Sequence, residues 1–156
     1  MDENSLDELY RVLQDFDSAM LVTRSTEHQL HARPMELQDP SQLPDCDLWF
    51  ATAADTAKVD EIVEEQQVNV CCLRARDGAY LSISARARIS TDANEIRRLY
   101  QPSWRIWMGD DGTHPAVLLK LTIERAEYWA PEGGLPRLLY EAVEGALTEP
   151  VTVPDR

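Results

Sequence analysis

Residues 79–90, AYLSISARARIS, alternate without interruption. Leu81, Ile83, Ala85, Ala87 and Ile89 fall on one side of an extended chain, and Tyr80, Ser82, Ser84, Arg86 and Arg88 fall on the other. Successive side chains of a strand point to opposite faces, so a period of two over this length marks a half-buried β-strand and excludes a helix. The rest of the chain supplies partners for it. SAMLVTRS and HQLHARPMEL read as strands around a polar turn at Ser25 to His28, with Pro34 tolerable only at an edge or a bulge. DLWFATA is a short strand and QVNVCCLRA a buried one, and AVLLKLTIERAEYWA is a long strand with Val117, Leu119, Leu121 and Ile123 on one side.

Helices lie between and around these strands. SLDELYRVLQDF carries Leu6, Leu9, Tyr10 and Leu13 on one helical face, and Ser5 with Glu8 has capping-box spacing. Lys58 to Glu65 is expected to be helical with Val59, Ile62 and Val63 inward. ANEIRRLY begins after Asp92, which has capping-box spacing to Glu95, and Pro102 closes it. After PEGGLP, a last helix is expected to bury Leu138, Leu139, Ala142 and Val143. About six strands with one helix after the third do not alternate as a parallel α/β fold does. The expected class is α+β, mainly β: a six-stranded antiparallel barrel of Greek-key type with helices outside.

Composition narrows the function. A chain of 156 residues with 44% apolar content matches a single domain, 1–156, able to bury its own core. A formal charge of −13 argues against a nucleic-acid or anionic-membrane partner, because neutralising phosphates needs a basic surface. Cys46, Cys71 and Cys72 form neither a disulfide framework nor a zinc spacing, which fits a reducing cytoplasm. An acidic N-terminus without an apolar core, and no stretch long enough to span a bilayer, point the same way.

The join between DLWFATA and the next helix places Thr52, Thr56 and Lys58 together. A helix start is electropositive, so a lysine there calls for an anion. Asp55, or Glu61 one turn on, can supply it as a surface pair. A ligand phosphate can supply it too, cradled by the free N–H groups of the helix start, two hydroxyls and the ammonium. Arg33, sharing a strand face with His31 and Met35, also needs an anionic or planar partner. Trp104 and Trp107, three apart, share one face of a helical segment and are either core or an aromatic wall for a planar ligand. Trp49, Phe50 and Trp129 read as packing residues. His28 and His31 fall on opposite strand faces with His114 far away, so no metal site is expected; GDDG is a turn, and no nucleophile elbow is present.

Taken in order and spacing, HARPMEL, LWFATAADTAKVDEI, VNVCCL and AYLSISARARI resemble the FMN-binding split-barrel family of pyridoxamine 5'-phosphate oxidase, in its bacterial general stress protein 26 branch. The resemblance runs from about Ala19 to Trp129 and rests on the linked Arg-Pro-Met and Thr-x-x-x-Thr-x-Lys elements. It implies a homodimer with FMN at the subunit interface, FAD being the alternative. It also implies phosphate contacts from Thr56, Lys58 and Arg33, with Pro34 and Ala57 among the cofactor-binding residues of the same motifs. Met35, Ala51 and Thr52 would lie along the ring edge, and Trp107, Tyr80 and Trp104 would close the site from the partner chain. Three departures stand out. Asp55 lies beside the same site and would repel a phosphate unless it faces away or caps the helix. Ala57 occupies a place where the oxidases carry a second basic residue, and the C-terminal segment lacks their substrate-gripping Trp and Arg pattern. Vitamin B6 oxidation is therefore not expected. The activity implied is that of a flavin-dependent oxidoreductase of unassigned substrate, or alternatively of a flavin-holding protein without turnover. No catalytic acid, base or nucleophile is identified.

Overall fold

A computed structural model describes residues 5–109 and 113–142. Helix α1 (Asp7–Leu13) precedes the hairpin β1 (Ser18–Arg24) and β2 (Leu30–Glu36). A 3-10 turn (Pro40–Gln42) leads to β3 (Leu48–Ala53), and α2 (Ala57–Glu64) follows. Strands β4 (Gln67–Arg74) and β5 (Ala79–Ser90) are followed by α3 (Ala93–Leu99), a second 3-10 turn (Pro102–Trp104) and α4 (Arg105–Met108). The long β6 (Ala116–Trp129) and β7 (Arg137–Glu141) complete the described chain. All pairings are antiparallel, in the order β2-β1-β4-β5-β6-β3, with β7 on the far half of β6.

The sheet curls into a half-barrel with a few helices around it. The expected alternation of β5 sets its core: Leu81, Ile83, Ala85 and Ala87 are buried and meet Leu21, Phe50, Val70, Leu119, Leu121 and Ile123. Leu9 and Leu13 of α1 and Ile62 of α2 close this core. Beyond Ala85 the register with β6 shifts by one, so that Glu124 is the extra residue of a bulge. A bulge bends its strand and sharpens the local twist, which lets so long a ladder curl.

Three expectations are corrected, and β6, a long strand as expected, is buried more fully than its one apolar side required. The segment expected as a last helix is β7, because Leu138, Tyr140 and their neighbours find β6 backbone to pair with; Leu139 is buried, Leu138 is half-exposed, and Val143 lies outside the described residues. The first half of β6 is buried on both faces: Leu118 joins Leu43, Trp49, Leu99 and Trp104 in a second apolar cluster outside the barrel. Val63 points to solvent, and the inward position on α2 belongs to Glu61. Helix α1 has no capping box: Ser5 Oγ accepts from Asp7 N at 3.0 Å, while Glu8 pairs with Arg137 at 2.7 Å.

The outer cluster is fastened by charge. Lys120, on the outward face of β6 and 5% exposed, donates to Asp45 at 2.8 Å and to Glu95 of α3 at 3.0 Å. Asp92 caps α3 as expected, but Glu95 is drawn to Lys120 and Ser90 instead of completing the box. Burial alone would lower the Lys120 pKa, yet its hydrogen bonds and charge contacts with Asp45 and Glu95 leave it raised. The hydrogen bond from Lys120 likewise holds the Asp45 carboxyl below its usual value. The stabilisation is thus complete above the ordinary carboxylate range and below the ordinary lysine range. It is lost as pH falls through the depressed Asp45 value or rises through the raised Lys120 value. Lys120→Ala is expected to cost about 3 kcal/mol, because Glu95 is left half-buried without its cation; urea unfolding at neutral pH measures it. A loss within experimental error of zero would mean that the network fastens nothing.

Candidate functional site

β2 and β3 are the two edges of the sheet and do not pair with each other. Between them lies a cleft of about 540 Å³. β2 supplies Arg33, Pro34 and Met35, β3 supplies Ala51 and Thr52, and the start of α2 supplies Thr56 and Lys58. Trp104 and Trp107 form a wall of the same chain, their rings 5.7 Å apart at an interplanar angle of 30°. Pro34 thus sits on an edge strand, as its missing donor requires. Two of the named residues lie outside this cleft, of which Tyr80 is expected to serve the partner's site. Ala57 heads α2 on another surface beside Asp60 and Glu61, and Tyr80 stands on the outer face of β5, half-exposed.

Lys58 has no carboxylate partner among the described residues. Its ammonium donates to Thr52 Oγ1 at 2.8 Å, and neither Asp55 nor Glu61 reaches it. Burial, and then the nearby positive charge of Arg33, lower its pKa. Two cations facing one cleft repel, and an anion between them would relieve both. Thr56 does not cap α2 with its side chain: Oγ1 donates to Ala53 O at 2.9 Å, and the first-turn N–H groups have no side-chain cap.

The carboxylates are engaged elsewhere. Glu61, 7% exposed, accepts from Thr23 Oγ1 and from Arg33 Nη2 at 3.3 Å, and contacts His31 Nδ1 at 3.0 Å. Burial pushes its carboxyl up. The hydrogen bonds from Thr23 and His31 and the charges of His31 and Arg33 outweigh that, so it is held below its usual value. Arg33 is thereby fixed at the floor of the cleft, with Nη1 also donating to Leu21 O and Thr23 Oγ1. Asp55 contacts His114 Nδ1 at 2.6 Å at the cleft mouth, and this bond holds the Asp55 carboxyl low. Sequence reasoning missed Thr23, and it named Glu61 only as a surface partner for Lys58 and His114 only as a distant histidine. A threonine at an inward position of β1 was the one visible sign, while the Asp55 to His114 contact spans 59 residues and leaves none.

The cleft fits a planar anionic ligand on three counts: an ammonium without a carboxylate, an uncapped helix start, and a stacked indole wall. Trp104 is 1% exposed, and its indole N–H has no partner among the described residues. Such a donor costs stability until an acceptor arrives. A larger hollow of about 820 Å³ between α1 and the 39–47 loop has a different character. No lysine or arginine lines it, and burial pushes Tyr10 up to about 12, Cys46 up to about 11, and Asp47 upward. It suits neutral groups. The three histidines are each held by a different side chain: His28 by Arg24, His31 by Glu61 and His114 by Asp55. Among the described residues no helix is long and apolar enough to cross a membrane.

Comparison with known proteins bears on the family and the fold. The protein bli-3 of Neurospora crassa is 28% identical over 117 residues, covering 69% of this chain and 56% of its own length. The chain thus spans little more than half of that relative. General stress protein 26 of Bacillus anthracis superposes with a TM-score of 0.63 at 21% identity, covering 78% of this chain and 91% of that one. A pyridoxamine 5'-phosphate oxidase-related, FMN-binding protein of Nostoc punctiforme gives 0.62 at 14% identity, covering 83% and 82%. These structures share the split-barrel fold. Residues 4–152 match the family described as pyridoxamine 5'-phosphate oxidase like, and over that span this chain is a member of it.

Proposed function

We propose that the cleft between β2 and β3 binds FMN, and that the protein works as a dimeric flavin-dependent oxidoreductase on a substrate still to be identified. The observation that carries this reading is Lys58, an ammonium facing Arg33 across a cleft with both neighbouring carboxylates committed to other partners. Lys58, Arg33 and the first turn of α2 would hold the terminal phosphate, which favours FMN over FAD. Met35, Ala51 and Thr52 would flank the ring, with Trp107 excluding water from one side. When bound, the flavin supplies the hydride chemistry, and the chain supplies binding and orientation.

A second copy of the chain completes the site in this reading. Met20, Leu73 and Tyr80 lie on one outer face of β1, β4 and β5 with exposures of 39%, 56% and 50%, an apolar surface suited to a partner. Tyr80 would then meet the other subunit's ligand. The thiols of Cys46, Cys71 and Cys72 are free, which supports a reducing, cytoplasmic setting. A non-catalytic flavin holder is the second reading. It is favoured because Asp55, His114 and Glu61, the acid and base groups around Lys58, are all bound to one another or to Arg33.

FMN is expected to be quenched on titration, saturating at one per chain. Lys58→Ala should weaken binding by ten-fold or more, about the effect of losing a charged hydrogen bond, while leaving the fold intact by circular dichroism. Equal affinity in both proteins would remove Lys58 from the site. Because the Lys58 pKa is lowered, phosphate affinity should decline as pH rises through that lowered value, and the decline should be missing in Lys58→Ala. FMN should also shift sedimentation toward dimer, since a ligand bound by two chains favours their association. Stopped-flow reduction by NADH or NADPH separates the readings: an enzyme accelerates it over free FMN, and a holder does not.

A further inference from the structure

Asp55 is the residue that ought to spoil the anion site. It immediately precedes Thr56 and lies three residues before Lys58, within the reach of one helical turn, and both line the cleft. A free carboxylate here would take the ammonium for itself or repel a phosphate. It does not reach Lys58, because His114 stands opposite it at the end of the β3–β6 ladder, where Ala53 faces Ala116 and Ala54 N donates to Pro115 O at 2.8 Å. His114 lies between α4 and β6 and is fixed there by its own N–H, which donates to Met108 O at 2.9 Å. Its Nδ1 meets Asp55 Oδ2 at 2.6 Å. Both side chains are about half-exposed, at 47% and 55%, so the pair contributes little to folding. Its electrostatic effect is local to the cleft.

We propose that His114 is a positioning residue of the anion site: by holding Asp55 it keeps that carboxylate off Lys58 and leaves the ammonium to the ligand. The inference rests on reading the cleft as an anion site. Glu61, the other carboxylate one turn from Lys58, is taken by Arg33, Thr23 and His31 in the same way. The difference is that Glu61 is buried and fixed by several side chains, whereas Asp55 is exposed and His114 is its one side-chain partner among the described residues. Removing that imidazole releases a negative charge beside the site. Removing both members takes that carboxylate away from the ammonium altogether.

The chain has two lysines, Lys58 and Lys120, so ε-carbon labelling of lysine gives two resonances, assigned by the loss of one in Lys58→Ala. In the ligand-free protein, His114→Ala should move the Lys58 titration to higher pH, and Asp55→Asn/His114→Ala should return it to the wild-type position. FMN should bind His114→Ala about fivefold more weakly at low salt, and the double variant within twofold of wild type, the scale of one partly screened carboxylate. A Lys58 titration unmoved in His114→Ala overturns the proposal, even if FMN binds. A moved titration with unchanged FMN affinity overturns it too, since the ammonium would then not have been reserved for the ligand. If wild-type protein does not bind FMN, the flavin reading fails, and the Lys58 titration still decides whether His114 shields it.

Discussion

Pairing of β5 with β6 along almost their whole length, offset once at Glu124, is the constraint on which the rest depends. A flat sheet of this order would leave β2 and β3 at opposite extremes. Bent by the bulge, it brings those edges to face each other across a gap that no backbone hydrogen bonds close. The bulged Glu124 is also tied in place, its carbonyl accepting from Ala142 N at 2.9 Å and its carboxylate from Gln67 at 2.6 Å. Every wall of the candidate site hangs from this curl. Arg33 comes from one edge and Thr52 from the other, and α2 springs from the end of the second.

The two apolar clusters divide the work. The inner one, filled by the alternating residues of β5 and their partners, fixes the barrel. The outer one, built on Trp49 and Leu118, holds Trp104 and with it the indole wall of the cleft. Lys120 fastens α3 to this outer layer, so a charge network remote from the cleft helps to set where the aromatic wall stands. Tyr10 adds a link from α1, donating to Asp47 O at 2.7 Å, while the Asp47 carboxylate accepts from Ile123 N at 2.8 Å next to the bulge.

The sequence made β5 plain because period-two alternation is a local property, and β1, β2, β3, β4 and β6 lie where apolar runs bounded by turn residues placed them. It misled at Arg137–Glu141, where Leu138 and Leu139 suit a helix face as well as a strand and only the free edge of β6 decides. It misled also at Val63 and Glu61. An apolar residue was expected inward on α2, but a carboxylate that gathers Thr23, His31 and Arg33 holds the buried position. The strand-to-helix join of the candidate site was legible, and so was Arg33, since those motifs are contiguous. The Asp55 to His114 contact was not, because nothing in either neighbourhood announces the other.

Of the fifteen cationic residues only two are lysines, and both stand where a guanidinium would not serve. Lys120 threads a single ammonium between two carboxylates at 5% exposure, and Lys58 reaches one threonine hydroxyl from a half-buried stem. A guanidinium brings five donors on a rigid plane, more than either pocket has acceptors to meet. Exchange between the two cations, harmless over most of this surface, is therefore a radical change at both places. In variants of this chain arising by chance, Lys58 and Lys120 should tolerate few replacements, arginine included.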